Sequence, residues 1–315
     1  MNTKINNLSI DKNKMLPTFV IIGAQKSAST FMQECLSDHS DIFLPHGETP
    51  FFESPDYENA DIKELSKLFN GRTEKCLGIK RPNYIGKPEV PARIQKHLPN
   101  SKLIAVLRNP VDRAISAYFH NVNYGFIPPI DVEIGIRKII SKTSFVSDNK
   151  RSSEIIEFGY YYKYLKEYNY FIKNNNLLIF LHEDIISSPL DSIQIAYKYL
   201  DVNPNYIPKS LDDRPMKVLY NIHRLKWVVK RNRLLYMYNA DKTRLSKKQL
   251  KFTDKVLAYS ITKFDEKILS LFFPNQKPQI SQELKNILYD LYLPDIKKLE
   301  KLIDRDLSIW KPKDY

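Results

Sequence analysis

Residues 17–30 restrict the possible folds more than any other stretch. Pro17-Thr18-Phe19-Val20-Ile21-Ile22 is an apolar, β-branched run of strand length. It breaks at Gly23 and passes through Ala24-Gln25-Lys26-Ser27-Ala28-Ser29-Thr30, after which Phe31, Met32, Cys35 and Leu36 fall at helical spacing. A buried strand turning tightly into a helix aims backbone N–H groups and a positive dipole end at one point, which is a phosphate site. Lys26 adds a mobile charge, and the hydroxyls of Ser27, Ser29 and Thr30 add donors. The reading is a strand at 19–22 and a helix from Ala28 to Ser37.

Further strand-like and helix-like segments alternate along the chain, the pattern of an α/β fold with a central parallel sheet. Strands are expected at Cys76–Ile79, Leu103–Leu107 and Leu177–Leu181. Helices are expected at 62–69, from Pro110 onward, at 190–200, at Ser246–Tyr259 and at Ser281–Tyr292, with Pro294 starting a last one that ends near Trp310. Residues 126–153 read as a surface excursion or lid, and Glu154–Lys173 as a long aromatic helix broken or entered at Gly159. Residues 1–15 are polar and read as a disordered leader, so the expected division is a leader and one domain over 16–315.

Arg108-Asn109-Pro110-Val111-Asp112-Arg113 follows the most continuous apolar strand. Asn109 suits a helix N-cap, Pro110 the first helical position, and Asp112 the first turn. Arg108 thus stands at the carboxyl end of a buried strand, where ligands bind in open α/β sheets. Its guanidinium offers a planar fork for a phosphate dianion, and Ser116 on the following helix offers a hydroxyl. Two strand–helix junctions, each with a cation and a hydroxyl, suit a nucleotide with phosphates at both ends of its ribose. A Walker loop needs a second glycine directly before the lysine. Gln25 stands there instead, so the loop is too short to wrap a triphosphate in the usual way.

Composition narrows the partners. The chain has 49 Lys and Arg against 36 Asp and Glu, a net charge of +13. That favours an anionic partner such as a nucleotide, a sulfated or phosphorylated compound, an acidic glycan or a membrane surface, although surface solvation accounts for it equally well. The run Arg224, Lys226, Lys230, Arg231, Arg233 suits a solvated helix face better than a binding site. No apolar run reaches the ~18–20 residues of a membrane span. Two cysteines, Cys35 and Cys76, lie in apolar contexts and read as reduced core thiols of a cytoplasmic protein. No histidine carries ligand spacing, so no metal is expected.

Gly23–Thr30 resembles the 5′-phosphosulfate loop of the sulfotransferases, and Arg108-Asn109-Pro110-Val111-Asp112-Arg113-Ala114-Ile115-Ser116 resembles their 3′-phosphate segment. The similarity continues through Gly159-Tyr160-Tyr161, Leu178–Asp184 and Leu299–Trp310. The resemblance implies a fold like that of the P-loop nucleotide kinases and 3′-phosphoadenosine 5′-phosphosulfate (PAPS) as donor. It places Gly23, Lys26, Ser27, Ala28, Ser29 and Thr30 at the 5′-phosphosulfate and Arg108 and Ser116 at the 3′-phosphate. Lys217 and Arg224 are candidates for the basic loop that closes over the adenine and 3′-phosphate.

For the acceptor, His46-Gly47-Glu48-Thr49-Pro50-Phe51-Phe52 resembles the Lys-Glu-x-x-Phe-Phe pattern of the heparan sulfate sulfotransferases. Glu48 matches its catalytic base and Phe51-Phe52 its aromatic pair. Gly47 replaces the lysine, and His46 is a rival base. Ile79-Lys80-Arg81-Pro82-Asn83-Tyr84 resembles the family's Glu-Lys-Ser/Thr-Pro-x-Tyr segment. Lys80 would stabilise the transferring group beside Lys26, and Tyr84 and Tyr161 would shape the acceptor cleft. Arg81 stands where a small hydroxyl residue is usual, an extra charge that suits an anionic acceptor. The acceptor expected is a carbohydrate, glycolipid or small natural product, with no nucleic acid. The alternatives are a nucleotide or small-molecule kinase on the same fold, and a non-catalytic module that binds an acidic polymer through residues 212–244.

Overall fold

The structure is a computed structural model that describes residues 15–213, 218–240 and 242–313. The polar leader expected at 1–15 lies almost wholly outside them.

Five parallel strands form the central sheet: β1 (Phe19–Gly23), β2 (Ile42–Phe43), β3 (Cys76–Lys80), β4 (Lys102–Leu107) and β5 (Leu177–Leu181), in the order β2-β3-β1-β4-β5. Their side chains alternate between two apolar layers, as strand geometry demands. Val20, Ile22, Leu103, Ala105 and Leu107 face one layer, while Phe19, Ile21, Ile104 and Val106 face the other. Helices cover both faces, which is why these strands read as continuous apolar runs. One layer is capped by α1 (Ser29–Ser37) and the helix Pro189–Tyr199, the other by α2 (Pro110–Asn123). Cys35 and Cys76 are free and buried in the first of these layers, and burial pushes the Cys35 thiol up to about 12.

The elements outside the sheet depart from expectation in four places. The lid segment carries two helices of its own, Val132–Ile140 and Ser144–Asp148, the first anchored by Ile136 and Ile139 in the core. Glu154–Lys173 is not one helix but three short ones at 154–157, 161–165 and 169–173. After α3 (Ile222–Leu235), the hairpin of β6 (Tyr236–Tyr238) and β7 (Leu245–Lys247) takes up the first residues of the helix expected at Ser246–Tyr259, so α4 runs over Phe252–Phe264 instead. A single helix, α5 (Gln282–Ile303), passes through Pro294. Its buried stripe of Leu284, Leu288, Tyr292, Ile296 and Leu299 keeps helical spacing on both sides of the proline, so tertiary packing outweighs the lost backbone bond. Among the described residues, no helix is long and apolar enough to cross a membrane.

Candidate functional site

Because β1 lies between β3 and β4, the carboxyl ends of three neighbouring strands open onto one edge. That edge brings together the Gly23–Ser27 loop, Lys80-Arg81 and Arg108. The loop is pinned by its own backbone: Ala24 N–H donates to the Val106 carbonyl at 2.8 Å, and Arg81 N–H to the Ile21 carbonyl at 3.0 Å. Gly23 is required here, since a Cβ would come within 2.5 Å of Ile85 Cγ2. Lys26 and Ala28 adopt left-handed backbone at φ 67° and 68°, the kind of turn that gathers successive N–H groups into a concavity. Helix α1 then begins with Ala28 as its N-cap, without a side-chain cap and without an acidic residue in its first turn. Its amides and dipole end are therefore left for a ligand.

The second junction is built differently. Asn109 Oδ1 accepts from Val111 N–H at 3.0 Å, capping α2, while Asn109 Nδ2 donates to the Trp310 carbonyl at 2.9 Å. Arg108 Nη1 reaches across to the Lys26 carbonyl at 3.1 Å, joining the two junctions. Tyr161 lies beneath them and donates to the Arg108 carbonyl at 2.8 Å. Lys26, Ser29, Thr30, Arg108 and Ser116 line one cleft of about 310 Å³. Ser27 and Ala28 line it too, and Lys80 is next to it, donating from Nζ to Thr30 Oγ1 at 3.3 Å.

The cleft also takes in side chains that sequence reasoning had not placed there: His120, His182, Arg151 and Asn83. His120 had a signal, since it follows Ser116 by one helical turn and shares its face. The others arrive through tertiary folding. Their electrostatics agree. Burial and the Arg108 charge hold Lys26 below the usual lysine range, with Glu48 opposing. Burial also lowers Lys80, again against Glu48. The His120 imidazole falls to about 3 through burial, Lys26 and Arg151, and His182 to about 4 through burial and Arg108. Burial is the largest cause at every one of these groups; neighbouring cations add to it at Lys26, His120 and His182, whereas at Lys80 the nearby charges of Glu48 and Glu34 oppose it. Neither Lys26 nor Arg108 forms an ion pair among the described residues. A bound polyanion would favour the protonated form of each, and Lys26, Arg81, Arg108 and Arg151 line the cleft against the carboxylate of Glu48, so the residues present fit a phosphate-bearing ligand.

A second hollow, of about 360 Å³, adjoins the cleft and shares Glu48, Arg81, His120 and Arg151 with it, extending to Tyr124, Phe126 and Arg244. Arg81 bridges two carboxylates there: its Nε donates to Glu53 Oε1 at 2.9 Å and its Nη1 to Glu48 Oε2. Arg151 stacks over the Phe126 ring at 4.3 Å and donates to Glu154 Oε2 at 3.1 Å.

Several expected contacts are corrected. The Tyr84 side chain is buried, accepting from Phe52 N–H at 3.0 Å and donating to the Thr49 carbonyl, so it holds the 49–52 turn and lines neither hollow. Phe51 packs edge-on against Phe52 and Tyr57, also inside that turn. Tyr161 is buried under Arg108, to whose carbonyl its hydroxyl donates, and lines neither hollow. His46 is exposed in an adjoining hollow that includes Lys80 and Glu34 and shares Thr30 and Glu48 with the cleft. Arg224 is not at the cleft: its guanidinium forms a bidentate pair with Asp265 at 2.8 and 2.7 Å. Lys217 lies outside the described residues. Among them, no group of three His, Cys, Asp or Glu side chains could hold a metal ion.

Comparison with known proteins agrees with this architecture. The chain is 29% identical over 199 residues to the human bifunctional heparan sulfate N-deacetylase/N-sulfotransferase 2, covering 60% of this chain and 22% of that one. It is 30% identical over 190 residues to the human heparan sulfate glucosamine 3-O-sulfotransferase 3B1, covering 60% of this chain and 47% of that one. This chain thus spans less than half the length of these relatives. In fold it resembles a sulfotransferase from Alicyclobacillus acidocaldarius, with a TM-score of 0.66 at 20% identity over 95% of this chain and all of that one. Residues 16–251 match the family described as "Sulfotransferase domain". With three quarters of its length matched, and with both phosphate-type junctions at one sheet edge, the chain belongs to the sulfotransferase family.

Proposed function

We propose that this chain transfers a sulfuryl group from PAPS to a hydroxyl or amine of a carbohydrate, glycolipid or small natural product. The observation that carries this reading is the pair of junctions joined by the Arg108–Lys26 contact, set in a cleft with excess positive charge. Lys26, Ser27, Ala28, Ser29 and Thr30 hold the 5′-phosphosulfate through the uncapped α1 terminus. Arg108 and Ser116 hold the 3′-phosphate from the second junction.

The donor supplies an activated sulfuryl group; the chain supplies position, charge and a proton acceptor. Lys26 and Lys80 stabilise the charge that develops around sulfur and on the leaving phosphate oxygen. Glu48 takes the acceptor proton as the new bond to sulfur forms and the bond to the phosphate oxygen breaks. Arg81 orients the Glu48 carboxylate through the ion pair they share. The acceptor occupies the hollow beyond Glu48, where Arg81, Arg151 and Arg244 favour an anionic saccharide. The heparan sulfate specificity named for the two relatives agrees with that chemistry.

The test is a mass-spectrometric screen of acceptors with the sulfate donor, looking for the gain of one sulfuryl group. With an acceptor in hand, Glu48→Gln is expected to slow turnover by about 10²–10⁴-fold, the usual worth of a general base. Affinity for the 3′,5′-bisphosphate product should stay near normal. A fully active variant would remove Glu48 from the role of base.

A further inference from the structure

The basic run on α3 and the helix that follows it take no part in the donor cleft. Helix α4, with the turn at 265–269 and the short helix Ser270–Phe272, buries only Ala258 and Leu269. Against solvent it presents Phe252, Tyr259, Leu271 and Phe272 at 81%, 64%, 78% and 73% exposure, with Val256 and Leu257 about half exposed. Phe252, Val256 and Tyr259 stand at i, i+4 and i+7 and so share one face. Single exposed apolar residues are ordinary, but a run of large ones on one element marks an interaction surface.

The adjoining surface is cationic. On α3, Lys226, Lys230 and Arg233 recur at i, i+4 and i+7, and all three are exposed. With His223 they line a groove of about 490 Å³ whose other wall includes Leu269 and Phe273, close to the exposed Leu271 and Phe272. Lys230 Nζ sits 4.6 Å from the Trp227 ring centroid. Lys251, Lys255 and Lys267 on the second element are exposed as well. Its acids are partly used up locally: Asp265 is paired with Arg224 and Glu266 with Lys263.

We propose that α3 and the segment 252–272 form a docking face for an anionic lipid bilayer. A face with aromatic and aliphatic side chains beside lysines and arginines lies in the plane of a membrane surface. Its apolar residues enter the acyl boundary and its cations pair with lipid phosphates and carboxylates. A groove of lysine and arginine beside exposed Leu271 and Phe272 provides both at once. Charge complementarity selects a lipid surface over a second copy of this chain, because pairing two such faces would bring the two cationic stripes together.

The experiment is flotation of the full chain with vesicles of phosphatidylcholine alone or mixed with phosphatidylserine. Retention is expected only on the phosphatidylserine vesicles, weakening as salt rises. Leu271→Asp with Phe272→Asp, and separately Lys226→Glu with Lys230→Glu, should each reduce the bound fraction about tenfold. All four positions are solvent-facing, so thermal melting should be unchanged. Failure of the unmodified chain to float with phosphatidylserine overturns the proposal, as does equal retention of both well-folded variants. So does a dimer in sedimentation that Leu271→Asp with Phe272→Asp dissociates without vesicle binding by the unmodified chain. None of these outcomes depends on the sulfuryl-transfer reading.

Discussion

The two strand–helix junctions present the same kinds of side chain and solve the helix N-terminus in opposite ways. At α1 the turn runs through left-handed Lys26 and Ala28, and no side chain caps the helix. At α2, Asn109 caps, Pro110 fills the first position and Asp112 stands in the first turn. The first terminus keeps its amides and dipole for a ligand. The second has its Val111 amide capped by Asn109 and a carboxylate in its first turn, so it offers an anion chiefly the side chains of Arg108 and Ser116. The first therefore suits the group on which charge develops, where preorganised backbone donors count most. The second suits an anchor that does not change during the reaction.

If that contrast is right, the two cations will fail differently. Lys26→Ala should lower turnover by about 10²–10³-fold, the scale for removing one stabiliser of transition-state charge. Product-bisphosphate affinity should change much less. Arg108→Ala should instead weaken binding of the bisphosphate by roughly 10–100-fold, the loss of a charged hydrogen-bonding group, in calorimetric titration. If both substitutions acted on turnover alone, or both on affinity alone, the division between reacting and anchoring junctions would break.

How much of this the sequence disclosed depends on how local each cause was. The apolar run before Gly23 and the Asn109-Pro110 pair carry their structure in adjacent residues, and both junctions were legible. Pro294 shows the opposite: local chemistry argued for a helix start, and a buried stripe continuing through Tyr292 and Ile296 overrode it. Tyr84 and Phe51 matched a pattern by letter but are used inside the 49–52 turn, which only the packing reveals. Arg224 looked available because its partner, Asp265, lies 41 residues away in sequence. His182 and Arg151 reach the cleft from elements whose placement no spacing encodes.

His120 offers a reading of burial and positive charge in the cleft. Its imidazole lies at about 3, against an ordinary value of 6.5, so it is neutral throughout the neutral range. The unfolded chain binds that proton near 6.5 and the folded chain only near 3. Stability contributed by keeping it neutral is therefore lost as pH falls from about 6.5 toward 3. His120→Gln should flatten the pH dependence of thermal melting in that window. Adding the bisphosphate should raise the His120 pKa, visible in the pH titration of its ring protons by nuclear magnetic resonance. A ligand that leaves it unmoved does not bind beside Lys26 and His120.

The smallest effect tests the capped junction. Asn109→Ala removes the Val111 cap and the donor to the Trp310 carbonyl, so the cost is about 1 kcal/mol for the cap, within a range of 0.5–2. Asn109→Asp keeps an acceptor at the helix N-terminus, where a negative charge is also favoured. It leaves the Trp310 carbonyl without its donor, so chemical denaturation should show it recovering only part of the loss. Neither change touches the groups assigned to the anion, and bisphosphate affinity should move by less than about twofold in either, since capping stabilises the helix and not the ligand. A large fall in affinity with Asn109→Ala would mean that the α2 terminus binds the anion through its backbone after all. The two junctions would then work alike.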